Sequence, residues 1–502
     1  MIPLLPRTAY FRLLQWLCSE VAVNNNPISK YLNNYVLSGI KTKELSKIGY
    51  TDDRARSLVI NIMARHFKHH DKAAIIQLLT DIKDRPADFL QDEVLGKIAA
   101  IFADQPKERH FQAFDLLATT GPLKVYGGKE IEQAARQQMD MAMSLPVTVQ
   151  GALMPDAHMG YGLPVGGVLA TEQAVIPYAV GVDIGCRMAL TLFDEGESFL
   201  KRYSYQLKVA MKEYTHFGME GGLEFRQEHA VLDRPEFRDT ALLKGLHGKA
   251  VRQLGSSGSG NHFVEFGLLT LEENNSLSLP PKQYLALLSH SGSRGLGAAI
   301  AQHYTKIAMD TCKLPRSAQQ LAWLDMNSEA GQEYWLSMNL AGDYARACHQ
   351  QIHRHLAKAA GLKSLATIEN HHNFAWEETL TDTRKVIIHR KGATPAHAGE
   401  LGIIPGSMTT PAYLVRGKGV EQALYSAAHG AGRAMSRSKA REKMTVSALN
   451  KMVANAGVTL IGGSVEENPL AYKDIERVMD AQHELVSVEG RFMPVIVRMN
   501  KE

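Results

Sequence analysis

Residues 179–193 read AVGVDIGCRMALTLF, and the fold class turns on how this stretch is parsed. The run from Met188 to Phe193 is apolar and short, and glycines at 181 and 185 precede it, so it reads as a buried strand entered through a glycine-framed turn. In that turn Asp183 and Cys186 put a carboxylate and a thiol three residues apart, where Gly185 permits close backbone approach. The same texture recurs in YGLPVGGVLAT (161–171), GNHFVEFGLL (260–269), YLALLSH (284–290), KVIIHRKG (385–392) and ELGIIPGSM (400–408). Helical spacing interleaves at 129–143, 297–309 and 333–361. Strands and helices do not alternate regularly. The pattern therefore predicts a mixed α+β domain and not a doubly wound parallel sheet.

Upstream the texture differs. YFRLLQWLCSEVAV (10–23), ARSLVINIMARHF (55–67), KAAIIQLLTDI (72–82) and DEVLGKIAAIF (92–102) carry apolar residues at three- and four-residue spacing with few glycines. Residues 1–110 hold 16 Lys+Arg against 12 Asp+Glu, which accounts for the whole chain's net charge of +4. The expectation is a small all-α module over 1–115, mildly basic and suited to contact RNA or a partner, followed by the mixed domain over 116–502.

Of the 502 residues 45% are hydrophobic and 22% charged, as in ordinary globular proteins. Nothing approaches the ~18 consecutive apolar residues of a membrane span. MIPLLPRTAYFRLLQWL carries arginines inside its apolar run and no small-residue cleavage site, so it does not read as a signal peptide. Cys18, Cys186, Cys312 and Cys348 are scattered, which argues for a reducing compartment and, by default, the cytoplasm.

Two constellations carry chemistry. Asp183, Cys186, His262 (after GSSGSG), His290 (ending YLALLSH) and the pair His371-His372 are a thiol, a carboxylate and imidazoles, a set suited to borderline divalent ions such as zinc, manganese, iron or cobalt. Taken singly, each histidine reads better as a turn cap or a satisfied core group, and Cys186 as a small buried hydrophobe; together, at glycine-framed strand ends, they shift toward a metal site. The second constellation suits phosphate: HRKGAT (389–394), PGSM (405–408), HGAGR (429–433) and MSR (435–437) offer cations, a hydroxyl and flexible glycines. SHSGSRGLG (289–297) has the form of an anion loop opening a helix. No G-x-x-x-x-G-K-[ST] occurs, which excludes a P-loop NTPase. His349, His353 and His355 share a helical stretch without an H-E-x-x-H motif and read as an exposed face. His66, His69 and His70 in RHFKHHDK read as a solvated basic face, with weak RNA contact as the alternative.

Read together, MPDAHMGYGLPVGGVLAT, AVGVDIGCRM, GNHFVEF, SHSGSRGLG, HHNFAWEE, HRKGAT, IIPGSM, HGAGRAMSR and AYKDIERVM resemble the RtcB family of RNA-splicing ligases, in that family's order, from about residue 120 to the C-terminus. The resemblance implies an RtcB-like catalytic domain with two manganese ions, or zinc or cobalt in their place. Asp183, Cys186 and His262 would hold one ion, and Cys186, His290 and His372 the other. It implies GTP as guanylyl donor to His429, with Asp156 at the edge of the metals as base or water holder. The nucleotide would fall on Asn261, Phe263, Glu265, Asn373, Lys391, Ser407 and Tyr472, and phosphates would face Arg294 and Arg433. The implied reaction joins a 2′,3′-cyclic phosphate or 3′-phosphate to a 5′-hydroxyl, on broken tRNA or rRNA, with an archease-like activating protein as a partner, no membrane, and a monomer or homodimer as the assembly. The chain departs from the family in three places. Arg187 replaces the usual glycine and is expected to bring a cation beside the metals. Ala412 replaces a serine that helps hold the guanine. A C-terminal lysine near the base is matched by Arg498. The alternatives are a dinuclear phosphodiesterase or phosphatase acting on RNA ends, and a non-catalytic RNA-end-binding factor.

Overall fold

The structure, a computed structural model, describes residues 40, 42–50, 53–67, 70–103, 111–218 and 226–501. The helix expected over 10–23, together with Cys18 and His69, lies outside these residues. The chain divides into two compact units, Met1–Arg109 and His110–Glu502.

In the first unit, helices Asp53–His66, Lys72–Asp84 and Gly96–Phe102 surround a core that includes Tyr50, Val59, Leu78, Ile82, Phe89 and Ile98. Lys72–Asp84 buries Ile75, Leu78, Leu79 and Ile82, one stripe at three- and four-residue spacing, and the Asp71 carboxylate caps it by accepting from the Ala73 and Ala74 amides. The run expected to be helical from 92 starts only at Gly96. Asp92 turns its carboxylate onto the Val94 and Leu95 amides and holds a local turn instead. His66 is exposed and His70 half-buried.

The second unit is mixed, with two principal sheets and helices packed against them. The larger sheet runs Ser364–His371, Arg187–Phe193, Gln283–Ser291, Phe263–Leu271, Val486–Met499, Ala412–Gly417, Leu401–Pro405, with neighbours antiparallel; Thr459–Ile461 adds alongside Val486–Met499 in parallel. Its two ends meet: the Asn370 side-chain amide accepts from the Ile403 N–H at 2.9 Å and donates to the Ile403 carbonyl at 3.3 Å, so one side chain stitches the two terminal strands. The smaller sheet runs Asn373–Thr379, Lys385–Lys391, Val165–Thr171, Thr148–His158, Leu123–Val125. Helices Arg294–Thr311 and Glu329–Ala359 contribute to a core that takes in Leu153, Leu169 and Ile387 of that sheet. Ala152, Met154, Val168 and Ala170 pack with Ile404, Tyr413 and Val415 of the larger one. The chain passes from the larger sheet to the smaller between His371 and Asn373, which sets His372 at the junction. Among the described residues no helix is long and apolar enough to cross a membrane.

Candidate active site

A cavity of about 300 Å³ opens at that junction. Strand ends deliver most of its polar lining: Cys186 precedes Arg187–Phe193, His262 precedes Phe263–Leu271, His290 lies in Gln283–Ser291, and Lys391 ends Lys385–Lys391. All five residues assigned to metal line it, and they fall into two groups of converging donor atoms, Asp183–Cys186–His262 and Cys186–His290–His372. The Cys186 Sγ lies 3.4 Å from His262 Nε2 and 3.2 Å from His290 Nε2, and the two Nε2 atoms of His290 and His372 are 3.2 Å apart. His262 Nε2 is 3.0 Å from the Asp183 carboxylate. The Asn261 carbonyl, 3.1 Å from His290 Nδ1, accepts a hydrogen bond from that nitrogen and leaves the Nε2 lone pair facing the cluster. Close glycines make the approach feasible: a Cβ at Gly258 would sit 1.9 Å from His262 Nδ1, and one at Gly292 1.9 Å from the Asp183 carboxylate.

Burial, with Asp183 beside it, pushes the Cys186 thiol well above the usual range. Burial also drives His290 down to about 3 and His372 well below its ordinary value. For Asp183 burial works in the opposite sense, but hydrogen bonding and charge from His262 outweigh it and hold the carboxyl low. Neutral imidazoles with converging lone pairs, a carboxylate, and a thiol that ionises only against a positive charge form the donor set of a borderline divalent ion. The residues of each group fit such an ion, and Cys186 belongs to both groups.

His429 faces the same cavity. Its ring centroid is 5.0 Å from that of His372, and its Nδ1 lies 2.7 Å from the Asp156 carboxylate, which also accepts from the His429 backbone N–H at 3.2 Å. Asp156 is fully buried and does not line the cavity, so it stands behind His429 and not at the edge of the metals. Gly432, at φ +71°, makes this possible: a Cβ there would fall 2.0 Å from the Asp156 carbonyl.

Of the residues assigned to the nucleotide, Asn261, Phe263, Glu265, Asn373, Lys391, Ser407, Arg433 and Tyr472 line the cavity. Burial lowers Lys391 to about 7 and raises Glu265 well above its ordinary value. Arg433 spends its donors on the Glu467 carboxylate and the Glu466 and Met435 carbonyls, leaving the half-exposed Arg437 as the more open cation on that wall. Two assigned residues are elsewhere. Arg294 donates to Ser256 Oγ and the Gly218 carbonyl, because the helix it opens aims its side chain at the glycine-rich 255–260 loop. Arg498 donates to the Thr215 carbonyl and lies over Phe217, since strand alternation turns Val497 and Met499 into the cavity and Arg498 out of it.

Alternation also corrects the expectation for Arg187. Its guanidinium, 4% exposed, binds Glu369 and the Gly342 carbonyl in a second cavity that it shares with His371 and Arg390, away from the metal groups. The helical histidines were misread as exposed. His349 and His353 are buried, and Ser289 Oγ sits 2.6 Å from one and 2.7 Å from the other, bracing the strand that carries His290. Sequence reasoning missed His158, Glu467 and Thr410.

Comparison with known proteins now bears on this geometry. The family model described as tRNA-splicing ligase RtcB matches residues 138–245 and 205–500. The chain belongs to the RtcB family. The RNA-splicing ligase RtcB of Escherichia coli strain K12 is 32% identical over 413 residues, covering 75% of this chain and 97% of that protein. The tRNA-splicing ligase RtcB of Methanococcus maripaludis is 31% identical over 403 residues, covering 66% and 83%. The RNA-splicing ligase RtcB of Mycobacterium tuberculosis is 32% identical over 429 residues, covering 70% and 97%. The helical unit lies ahead of the residues that the family model matches.

Proposed function

We propose that this chain is a GTP- and manganese-dependent RNA ligase that joins a 2′,3′-cyclic phosphate or 3′-phosphate end to a 5′-hydroxyl through a histidine–GMP intermediate, in RNA repair or tRNA splicing. The observation that carries the reading is the pairing of His429 with buried Asp156 beside the two donor groups. Asp156 holds the proton on Nδ1, which leaves Nε2 with a free lone pair facing the cavity. That nitrogen attacks the α-phosphorus of GTP, forming an N–P bond and expelling pyrophosphate. A cyclic end is first opened by water to the 3′-phosphate. The 3′-phosphate oxygen then takes GMP from His429, restoring the imidazole. The 5′-hydroxyl attacks the activated 3′-phosphorus, its proton leaves, and GMP departs as the 3′–5′ bond forms. Ions held by Asp183, Cys186 and His262 and by Cys186, His290 and His372 would neutralise the phosphates and the charge that develops in the transition state.

Incubation of the protein with manganese, an RNA stem-loop nicked to a cyclic phosphate and a 5′-hydroxyl, and each nucleoside triphosphate in turn tests this. Sealing with GTP is expected. Hydrolysis of the cyclic phosphate with no sealing under any nucleotide would overturn it in favour of a phosphodiesterase.

A further inference from the structure

The hairpin joining Thr148–His158 to Val165–Thr171 leaves the cavity wall at His158 and returns to it at Val165, and those two residues pair. Between them the tip carries two large side chains into solvent, Met159 at 62% and Tyr161 at 69% exposure. Exposed apolar groups on a mobile tip would mean little, but this tip is fastened at four points. Gln138 Nε2 donates to the Gly160 carbonyl at 2.6 Å and its Oε1 accepts from the Gly160 N–H at 2.9 Å. Gln320 Oε1 accepts from the Gly162 N–H at 3.0 Å, and Leu163 is fully buried in the core. Lys391, which lines the cavity, donates through Nζ to the Tyr161 carbonyl and to the Tyr178 carbonyl. The Tyr161 and Tyr178 ring centroids are 6.5 Å apart, and Val182, also on the cavity lining, is 40% exposed. A rigid backbone thus presents an aromatic ring in water at the rim of the reacting cavity.

We propose that Tyr161 is a stacking platform for the base of the nucleotide at the RNA end being joined, an inference that rests on the ligase reading above. Among the residues that line this cavity, Arg437 opens the helix Arg437–Lys443, whose sequence RSKAREK is basic. Aromatic rings on one part of a cleft and cations on another are how single-stranded nucleic acid is held, the bases by stacking and the backbone by charge. The platform accepts any base, because every base offers a π-face, so it helps hold the end without selecting sequence. One exposed ring and a methionine are too small a patch for a stable protein partner, which would leave no dependence on the terminal base.

The test measures binding of a fluorescent single-stranded RNA ending in a 3′-phosphate to the manganese-loaded protein without GTP. Tyr161→Ala is expected to weaken binding roughly tenfold, Tyr161→Phe to restore it and Tyr161→Leu not to. With the terminal base removed, wild type and Tyr161→Ala are expected to bind alike. Guanylylation of His429 by GTP in the absence of RNA is expected to be unchanged in Tyr161→Ala. Wild-type affinity in the alanine variant, or an equal loss on the abasic end, would overturn the platform while leaving the ligase reading intact. Failure of the wild-type protein to bind RNA ends would overturn both.

Discussion

Three pairs of chain neighbours, Cys186 and Arg187, His372 and His371, Lys391 and Arg390, divide between two cavities. The first of each pair lines the cavity at His429, and the second lines a cavity of about 270 Å³ on the other side of the same strands. The two cavities use charge in different ways. On the His429 side donor atoms turn toward the cavity: the His290 and His372 imidazoles, a thiol pushed high and a lysine pulled to about 7, with Asp183 against His262 and Asp156 against His429. On the reverse side charge is matched within the protein. Arg187 and Arg346 meet Glu369, and Arg390, which is fully buried, meets Glu378. A buried charge costs several kcal/mol unless it is paired, so the arginine–carboxylate pairs of the reverse side read as structure, whereas the donor atoms converging on the His429 side read as a candidate metal site.

The two sides should respond differently to mutation. Cys186→Ala is expected to empty the metal groups and lower ligation by about a thousandfold or more, read by metal analysis and RNA sealing. Arg187→Met is expected to keep bound metal but lose about 1–2 kcal/mol of stability in urea unfolding, because the Gly342 carbonyl and Glu369 lose a buried donor while Arg346 stays on Glu369. Metal loss in both variants would erase the distinction. Asp156→Asn should reduce guanylylation about a hundredfold with little change in nucleotide affinity, since it frees the tautomer of His429 without touching the cavity lining.

Lys391 gives a smaller, graded effect. Its folded value near 7 lies below the ordinary lysine range, so the side chain is charged at pH 6 and neutral at pH 8.5. If its ammonium contacts nucleotide phosphate, GTP affinity falls as pH rises through 7, by up to about tenfold per unit, and binding at pH 8 takes up a proton. Calorimetry in two buffers of different ionisation enthalpy reads that proton. The least effect belongs to Arg498→Met, expected to change GTP affinity less than about twofold because the side chain points away from the cavity.

Much of the His429 side was legible in the sequence because its residues sit at glycine-framed strand ends in distinctive motifs: DIGC, GNHF, HSGSRG and HGAGR name their own positions. The mixed α+β fold was legible too, from short apolar runs with interleaved helical spacing. What escaped depended on orientation or on distant partners. Arg187 was placed beside the metals although one step along a strand reverses a side chain, and Arg498 was chosen for its charge when Val497 and Met499 hold the inward positions. His349 and His353 look solvent-facing among charged neighbours, and only the fold brings Ser289, some sixty residues earlier, against both. Glu467 gives no local signal of the arginine and tyrosine it anchors.

The most direct measurement is transfer of label from α-³²P-GTP to the manganese-loaded protein, resolved on a denaturing gel with the labelled residue located by mass spectrometry. Acid-labile, alkali-stable label on His429, absent in His429→Ala, is the expected result. Sealing of RNA without any labelled protein, or label that persists in His429→Ala, would contradict the histidine–nucleotide chemistry assigned to this cavity.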